Sequence, residues 1–245
     1  MSTPIVTFAK PVTPLPRLTT PGAADLAAKF KPQPGAQALV KPGMSSSEYI
    51  HVLEQKNMSG DAIKGLAHGM SERDSVWYAA QSSRRVEPMM TPADKTAMKA
   101  AEDWAKNPSP ANQARASAAA AATDHSGPGA WAAQGAAWSS ETPGGAVPAT
   151  PGLTPHATAN SVQLASAMEA KGGPIEVPKV PETPEAPTLP DQPAAPQLAM
   201  PEVKAPEVVP PTVPPTPEAN AKTAQAQQPY VTLGKDVASG KNTPA

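Results

Sequence analysis

Histidine is the residue type in this chain best suited to metal binding or to proton transfer near neutral pH. The four histidines are His51, His68, His125 and His156. Zinc needs three or four converging histidine, cysteine or carboxylate ligands. These histidines are scattered over separate predicted helices and a loop, and the sequence has no cysteine. We therefore expect no metal and no cofactor. Each histidine is expected at the surface or at a helix end, and the spacing of His68 from Glu72 and Asp74 indicates a local ion pair at most.

Other catalytic patterns are also missing from the sequence. No serine stands in a G-x-S-x-G motif. The run TPGG at 142–145 lacks the lysine and the strand–helix context of a phosphate-binding loop. The acidic pair Glu102-Asp103 is expected at a solvated helix edge. We predict a non-enzymatic protein. The alternative is an enzyme whose site these patterns do not reveal, and a deep pocket lined by His68, Asp74 and another polar group would support it.

Seven residues are candidates for contacts with a protein partner. They are His68, Arg73, Trp77, Arg84, Arg85, Trp131 and Trp138. The first three are expected around one helix junction. The arginine pair ends a predicted helix, where the helix dipole favours cations, and binding of an acidic partner is its alternative role. The two later tryptophans are expected to be core anchors, and partly exposed docking anchors are the alternative.

Helices must position these residues. From residue 45 to 140, apolar side chains recur every three or four positions, as on one face of a helix. The spacing predicts helices at 23–30, from Ser45 onward, at 59–70, at 72–85, after Thr91-Pro92, at 110–122, at 128–138 and at 156–170. Ser45 and Glu48 have capping-box spacing, and proline after a capping hydroxyl favours two further helix starts. Short connections predict antiparallel neighbours. The predicted fold class is all-α, a small bundle of short antiparallel helices.

Large apolar side chains are concentrated in the first two-thirds of the chain. All four tryptophans lie between residues 77 and 138, and each can bury on the order of 150–250 Å². Half of the 34 prolines fall in residues 173–245, where Tyr230 is the one aromatic residue. Such a segment cannot offset the roughly 1–2 kcal/mol per residue lost on ordering a backbone.

These contrasts predict three parts. Residues 1–21 are expected to be a disordered leader, residues 22–172 a helical domain, and residues 173–245 a disordered proline-rich tail that favours polyproline II. The last stretch, PYVTLGKDVASG, is the one part of the tail with tyrosine, valine and leucine close together. It is either a short linear motif or an inert terminus.

Charge and hydropathy restrict the choice of partner. The net charge of −1 provides no field that attracts nucleic acid or anionic lipid. No window approaches 18 apolar residues, so we expect no membrane span. The sequence begins without a standard export signal. We expect a soluble, cytoplasmic protein with protein partners, and secretion without a signal peptide is the alternative. The oligomeric state stays open.

With the helices placed, residues 22–170 resemble a bacterial family of unknown function whose members are typically encoded in type VI secretion gene clusters. The matching positions are Pro42-Gly43-Met44, Ala62 with Leu66-Ala67-His68, Arg73 with Val76-Trp77, Trp104 with Pro108, and Trp131 with Trp138. The resemblance implies an all-helical accessory protein of that secretion system, without known catalytic residues. We therefore expect an adaptor whose helical domain binds a secretion component and whose tail is a spacer or carries motifs. An exported cargo or effector-associated protein of the same machinery is the alternative.

Overall fold

The computed structural model of the chain describes residues 12–145, 152–172 and 217–244. These residues form ten α-helices and one short 3₁₀ turn at Glu87–Met89. The helices are α1 (Ala23–Phe30), α2 (Pro34–Gln37), α3 (Ser46–Gln55), α4 (Ser59–Gly69), α5 (Glu72–Arg85), α6 (Pro92–Lys106), α7 (Pro110–Ala121), α8 (Pro128–Ala137), α9 (Leu153–Lys171) and α10 (Pro217–Ala238). The described residues contain two isolated β-bridges and no strand. The all-α prediction is confirmed.

Local capping explains why the predicted helices start where they do. Ser45 accepts a hydrogen bond from the Glu48 amide while the Glu48 carboxylate accepts from the Ser45 amide, which completes a capping box. Ser71, Thr91 and Ser109 each accept from the amide three residues on. Each of these hydroxyls satisfies a backbone donor that has no partner inside its helix.

The centre of the protein is a layer formed by α5, α6, α8 and α9, with α7 packed on α6 and α8. Trp104 of α6 is fully buried there, and its indole N–H donates to the Thr142 hydroxyl over 2.8 Å. Val162 and Ala165 of α9 are also fully buried. Helix α9 is therefore an integral part of the packed domain, and it starts three residues before the predicted helix at 156–170.

The expected disordered leader, residues 1–21, needs correction for residues 12–21. Leu15 is buried, Leu18 pairs with Met70 in a β-bridge, and the Arg17 guanidinium forms an ion pair with the Asp74 carboxylate. Because these partners lie about 50 positions away in sequence, the local proline content gave no sign of them. Residues 1–11 lie outside the described part of the chain.

The expected disordered tail, residues 173–245, needs correction for residues 217–244. This stretch contains α10, and Tyr230, Val231, Val237 and Ala238 are buried. A segment with so few apolar residues lacks a core of its own. It is ordered here because those few residues pack on helices that already form a core. The predicted polyproline stretch, residues 173–216, lies outside the described residues.

Across residues 12–145, 152–172 and 217–244, no helix combines the length and the hydropathy that crossing a membrane requires.

Candidate helix-binding groove

Helices α4, α5 and α9 form a groove, and α10 lies in it. Leu66 of α4 and Tyr78 of α5 are fully buried and form the floor. Gly234 of α10 sits directly on them. A Cβ added at Gly234 would lie 2.8 Å from Leu66 Cδ1 and 2.8 Å from Tyr78 Cζ. The absence of a side chain at this position therefore lets the α10 backbone approach the floor closely.

A buried hydrogen bond connects the floor to the α10 backbone. The Tyr78 hydroxyl donates to the main-chain carbonyl of Tyr230 over 3.0 Å. Burial raises the pKa of Tyr78 well above its usual range, and the neighbouring Tyr230 adds to the shift. The Tyr78 phenol consequently stays protonated and remains a donor at any physiological pH.

The polar rim of the groove is formed by α3 and the start of α4. The Glu54 carboxylate accepts from Lys235 Nζ over 2.6 Å and from the Gln228 amide over 3.0 Å. Ser59 donates to the main-chain carbonyl of Ala224 over 3.0 Å. The side chains of Glu54 and Lys235 are only 16% and 25% exposed. Solvent therefore screens their attraction less than that of a surface ion pair.

The opposite rim carries an arginine between two partners. The guanidinium carbon of Arg85 lies 5.1 Å from the centroid of the Tyr230 ring, a cation–π distance. Its Nη2 donates to the Glu169 carboxylate over 3.0 Å. Arg85 thus links α5, α9 and α10.

The C-terminal segment extends these contacts beyond the helix. The Trp77 indole N–H donates to Asn242 Oδ1 over 3.0 Å, and the Ala238 carbonyl accepts from the Arg17 amide over 2.9 Å. Pro229 lies inside α10, where a proline costs a helix about 3 kcal/mol. Helix α10 on its own is therefore intrinsically weak and depends on the groove for its stability.

Among the seven candidate interaction residues, Trp77 and Arg85 contact this C-terminal segment. Arg73 and Arg84 instead bind inside the helical domain. Arg73 donates to the Ala105 and Lys106 carbonyls at the end of α6. Arg84 forms a two-pronged pair with Glu102 and a further 3.1 Å contact with Glu87.

Of the other two candidate tryptophans, Trp131 lies on α8 and Trp138 is the residue that caps its C-terminus. Both are half-buried rather than fully enclosed in the core. The Trp131 indole N–H donates to the main-chain carbonyl of His125 over 2.9 Å. Within the described residues, neither shares a hydrogen bond or a ring contact with Trp77.

His68 lies in a separate cleft of about 690 Å³. Its ring is buried and lies 4.5 Å, centroid to centroid, from the exposed ring of His156. Burial is the main cause that lowers the pKa of His68 to about 3, and His156, Lys29 and Lys64 lower it further. The expected pairing of His68 with a nearby acid does not form, because Asp74 pairs with Arg17.

The carboxylates that line this cleft have structural partners. Glu72 accepts from the Ser139 hydroxyl over 2.8 Å and from the Ser140 amide over 2.6 Å. Glu141 accepts from the Glu72 and Arg73 amides at the start of α5, both over 2.9 Å. These contacts clamp the 139–141 loop to α5. The described residues contain no group of three histidine, aspartate or glutamate side chains placed to hold a metal ion.

Two residues of the groove, Glu54 and Tyr78, were not among the sequence candidates. Tyr230, Gly234 and Lys235 lie in the stretch PYVTLGKDVASG, which the sequence left open as a linear motif or an inert terminus. Its apolar residues 230, 231, 233 and 237 recur at helical spacing, which is the signal that could have predicted a helix there.

The fold and groove define a helical protein that holds its own C-terminal helix in a groove between three others. The chain belongs to a family of unknown function, DUF6931, whose model matches residues 49–180. The matched part contains α4, α5 and α9, which form the groove, whereas α10 lies beyond it. No curated protein and no solved structure matches the chain.

Proposed function

We propose that this chain is a non-enzymatic adaptor whose α4–α5–α9 groove binds an amphipathic helix of a protein partner. In the unbound protein, α10 fills the groove, and the partner helix replaces it. We propose the cytoplasm as the compartment and type VI secretion as the setting, because the sequence resembles proteins encoded in those gene clusters.

The observation that carries this proposal is how α10 is held. It is attached through residues 173–216, a stretch of 44 positions, and it docks through side chains that another helix could supply. The internal proline lowers the stability of α10 as a helix. Helix α10 is therefore held mainly by its contacts with the groove. A tethered segment nevertheless competes at an effective concentration in the millimolar range. A partner must therefore bind tightly or be locally concentrated to replace α10.

The contacts of α10 define the chemistry of the partner helix. An aromatic residue would stack under Arg85, as Tyr230 does. Four positions later a glycine would allow close approach to the floor, and one position further a basic residue would pair with Glu54. The expected partner motif is thus aromatic-x-x-x-Gly-basic on one helix.

The test uses the full chain with a protease site inserted near residue 195. After cleavage, a fluorescent peptide of residues 217–244 should exchange with the bound fragment, as followed by anisotropy. Glu54→Lys should weaken peptide binding roughly 5-fold, about 1 kcal/mol. The peptide variant Lys235→Glu should recover the loss, because it restores an opposite-charge pair.

The matched control is Lys241→Glu in the peptide. Lys241 is 71% exposed and contacts Asp236 of the same segment, so its reversal should leave affinity unchanged. A cleaved fragment that never exchanges, or a domain that unfolds when the fragment leaves, would show that α10 is a fixed part of the core. The proposed setting is tested separately, by deleting the gene and measuring type VI effector release.

A further inference from the structure

A second groove is lined by residues of α8, α9 and α10 and of the loop before α8. Its volume is about 490 Å³. One wall consists of the rings of Trp131 and His125, which meet edge to face with centroids 5.6 Å apart. Leu164 and Ala167 of α9, both half-buried, also line it.

The indole of Trp131 offers this groove an apolar face. Its N–H is already used by the His125 carbonyl, so the ring has no free polar group. An aromatic ring and a leucine side chain in one groove suit an apolar ligand.

Asn160, Gln163 and Gln227 line the groove with side-chain amides. None of the described residues that line it is Asp, Glu, Lys or Arg. Within residues 12–145, 152–172 and 217–244, the amide groups of Asn160 and Gln163 have no hydrogen-bond partner. A polyproline II chain has no internal hydrogen bonds and leaves its carbonyls free to accept from such donors.

We propose that this groove binds residues 208–216 of the same chain, VVPPTVPPT, in the polyproline II conformation. The composition of this segment selects it. Residues 208–216 contain four prolines, three valines and no charged residue, which matches the uncharged lining. The other proline-dense stretch, 177–193, contains Lys179, Glu182, Glu185 and Asp191. Placing those charges against an uncharged groove would cost desolvation energy.

The direction of α10 bears on whether this segment can reach the groove, because residue 217 follows the segment in the sequence. Helix α10 runs parallel to α9, because Gln163 shares a cleft with Thr223 and Gln227 whereas Arg85 contacts Glu169 and Tyr230 further along both helices. The start of α10 therefore lies beside the first half of α9. Residue 217 is ten positions before Gln227, or about 15 Å along a helix. Nine residues of polyproline II would span roughly 28 Å, which exceeds the roughly 15 Å along α10 between residue 217 and Gln227.

The test is the indole ¹H–¹⁵N signal of Trp131 in the full chain, assigned by its loss in Trp131→Phe. Replacing residues 208–216 with nine glycines and serines should shift this signal. The same replacement at 177–185 is the matched control and should leave it in place. Adding the peptide VVPPTVPPT to the first variant should return the signal towards its wild-type position.

A groove-side variant separates binding from an indirect effect of the linker. The variant Leu164→Lys places a charge in the groove and should prevent an apolar segment from binding there. In that variant, replacing residues 208–216 should no longer shift the Trp131 signal. The proposal is overturned if the 208–216 replacement leaves the Trp131 signal unchanged. It is also overturned if the replacements at 208–216 and at 177–185 shift the signal equally. These outcomes do not depend on whether a partner displaces α10.

Discussion

The buried hydroxyl of Tyr78 on α5 donates its hydrogen bond to the backbone of Tyr230 on α10, 152 positions later in the chain. The bond reaches a main-chain carbonyl, so it constrains the position of α10 without requiring a particular side chain at 230. Specificity must come from other contacts, namely the Tyr230 ring under Arg85, Gly234 on the floor and Lys235 at the rim. The proposed exchange of α10 for a partner helix requires this division between a backbone contact and side-chain contacts.

Tyr78→Phe should loosen α10 while leaving the rest of the domain intact. Loss of one hydrogen bond costs about 0.5–1.5 kcal/mol, which corresponds to roughly 2- to 12-fold faster local opening. Amide hydrogen exchange of residues 221–238 measures this. Tyr49→Phe is the matched control, because Tyr49 is also buried but donates to the Ala36 carbonyl rather than to α10. Equal acceleration of α10 exchange in both variants would contradict a specific role for Tyr78.

Gly234→Ala should release α10 even though alanine favours the helix. The substitution gains about 1 kcal/mol of helix propensity. It also forces a methyl group to within 2.8 Å of the buried Tyr78 ring, which has little room to move. We expect the clash to dominate and limited proteolysis to cut residues 221–244 faster. In Gly60→Ala, the control, the nearest atom would be Gln227 Oε1 at an ordinary 3.5 Å, and proteolysis should not change. Slower cleavage of Gly234→Ala than of the wild type would show that propensity dominates.

Much of the fold could be predicted because its signals are local. A hydroxyl that accepts from the backbone amide three residues later marks a helix start within one short window, as at Ser45 and Thr91. The period of apolar residues likewise placed α1 and α5 at their observed bounds.

The groove could not be predicted because its partners are distant in sequence. Helix α10 has few apolar residues and an internal proline, and its order depends on Leu66 and Tyr78 more than 150 positions earlier. The arginines show the same limit. Arg73 was a candidate for partner binding, yet it binds carbonyls at the end of α6 that no spacing rule connects to it.

Asp94→Ala should destabilise the whole domain. The Asp94 carboxylate is buried and accepts from the Ala130 amide over 2.6 Å, so it caps the start of α8. Gly127 and Gly129 lie so close to Asp94 that a Cβ on either would overlap it. Without the Asp94 carboxylate, the buried Ala130 amide has lost its acceptor, which costs about 1–3 kcal/mol. Urea unfolding should show this loss. Asp103→Ala, which removes an aspartate of α6 that is 41% exposed, should stay within about 0.5 kcal/mol of the wild type.

Acid should unfold the protein partly through His68. Its pKa falls to about 3 in the fold, compared with about 6.5 in an unfolded chain. Between these values the unfolded state binds the proton and the folded state does not. The contribution of neutral, buried His68 to the free energy of unfolding is therefore fully present above pH 6.5. It decreases as the pH falls towards 3, with a slope of up to about 1.4 kcal/mol per pH unit. Lys29, Lys64 and His156 all face His68 and oppose its protonation.

His68→Gln should flatten the curve of unfolding free energy against pH between 6 and 4, as measured by urea titration at each pH. His51→Gln is the matched control for the histidine-to-glutamine change itself. A slope that survives in His68→Gln would assign the acid sensitivity to other groups.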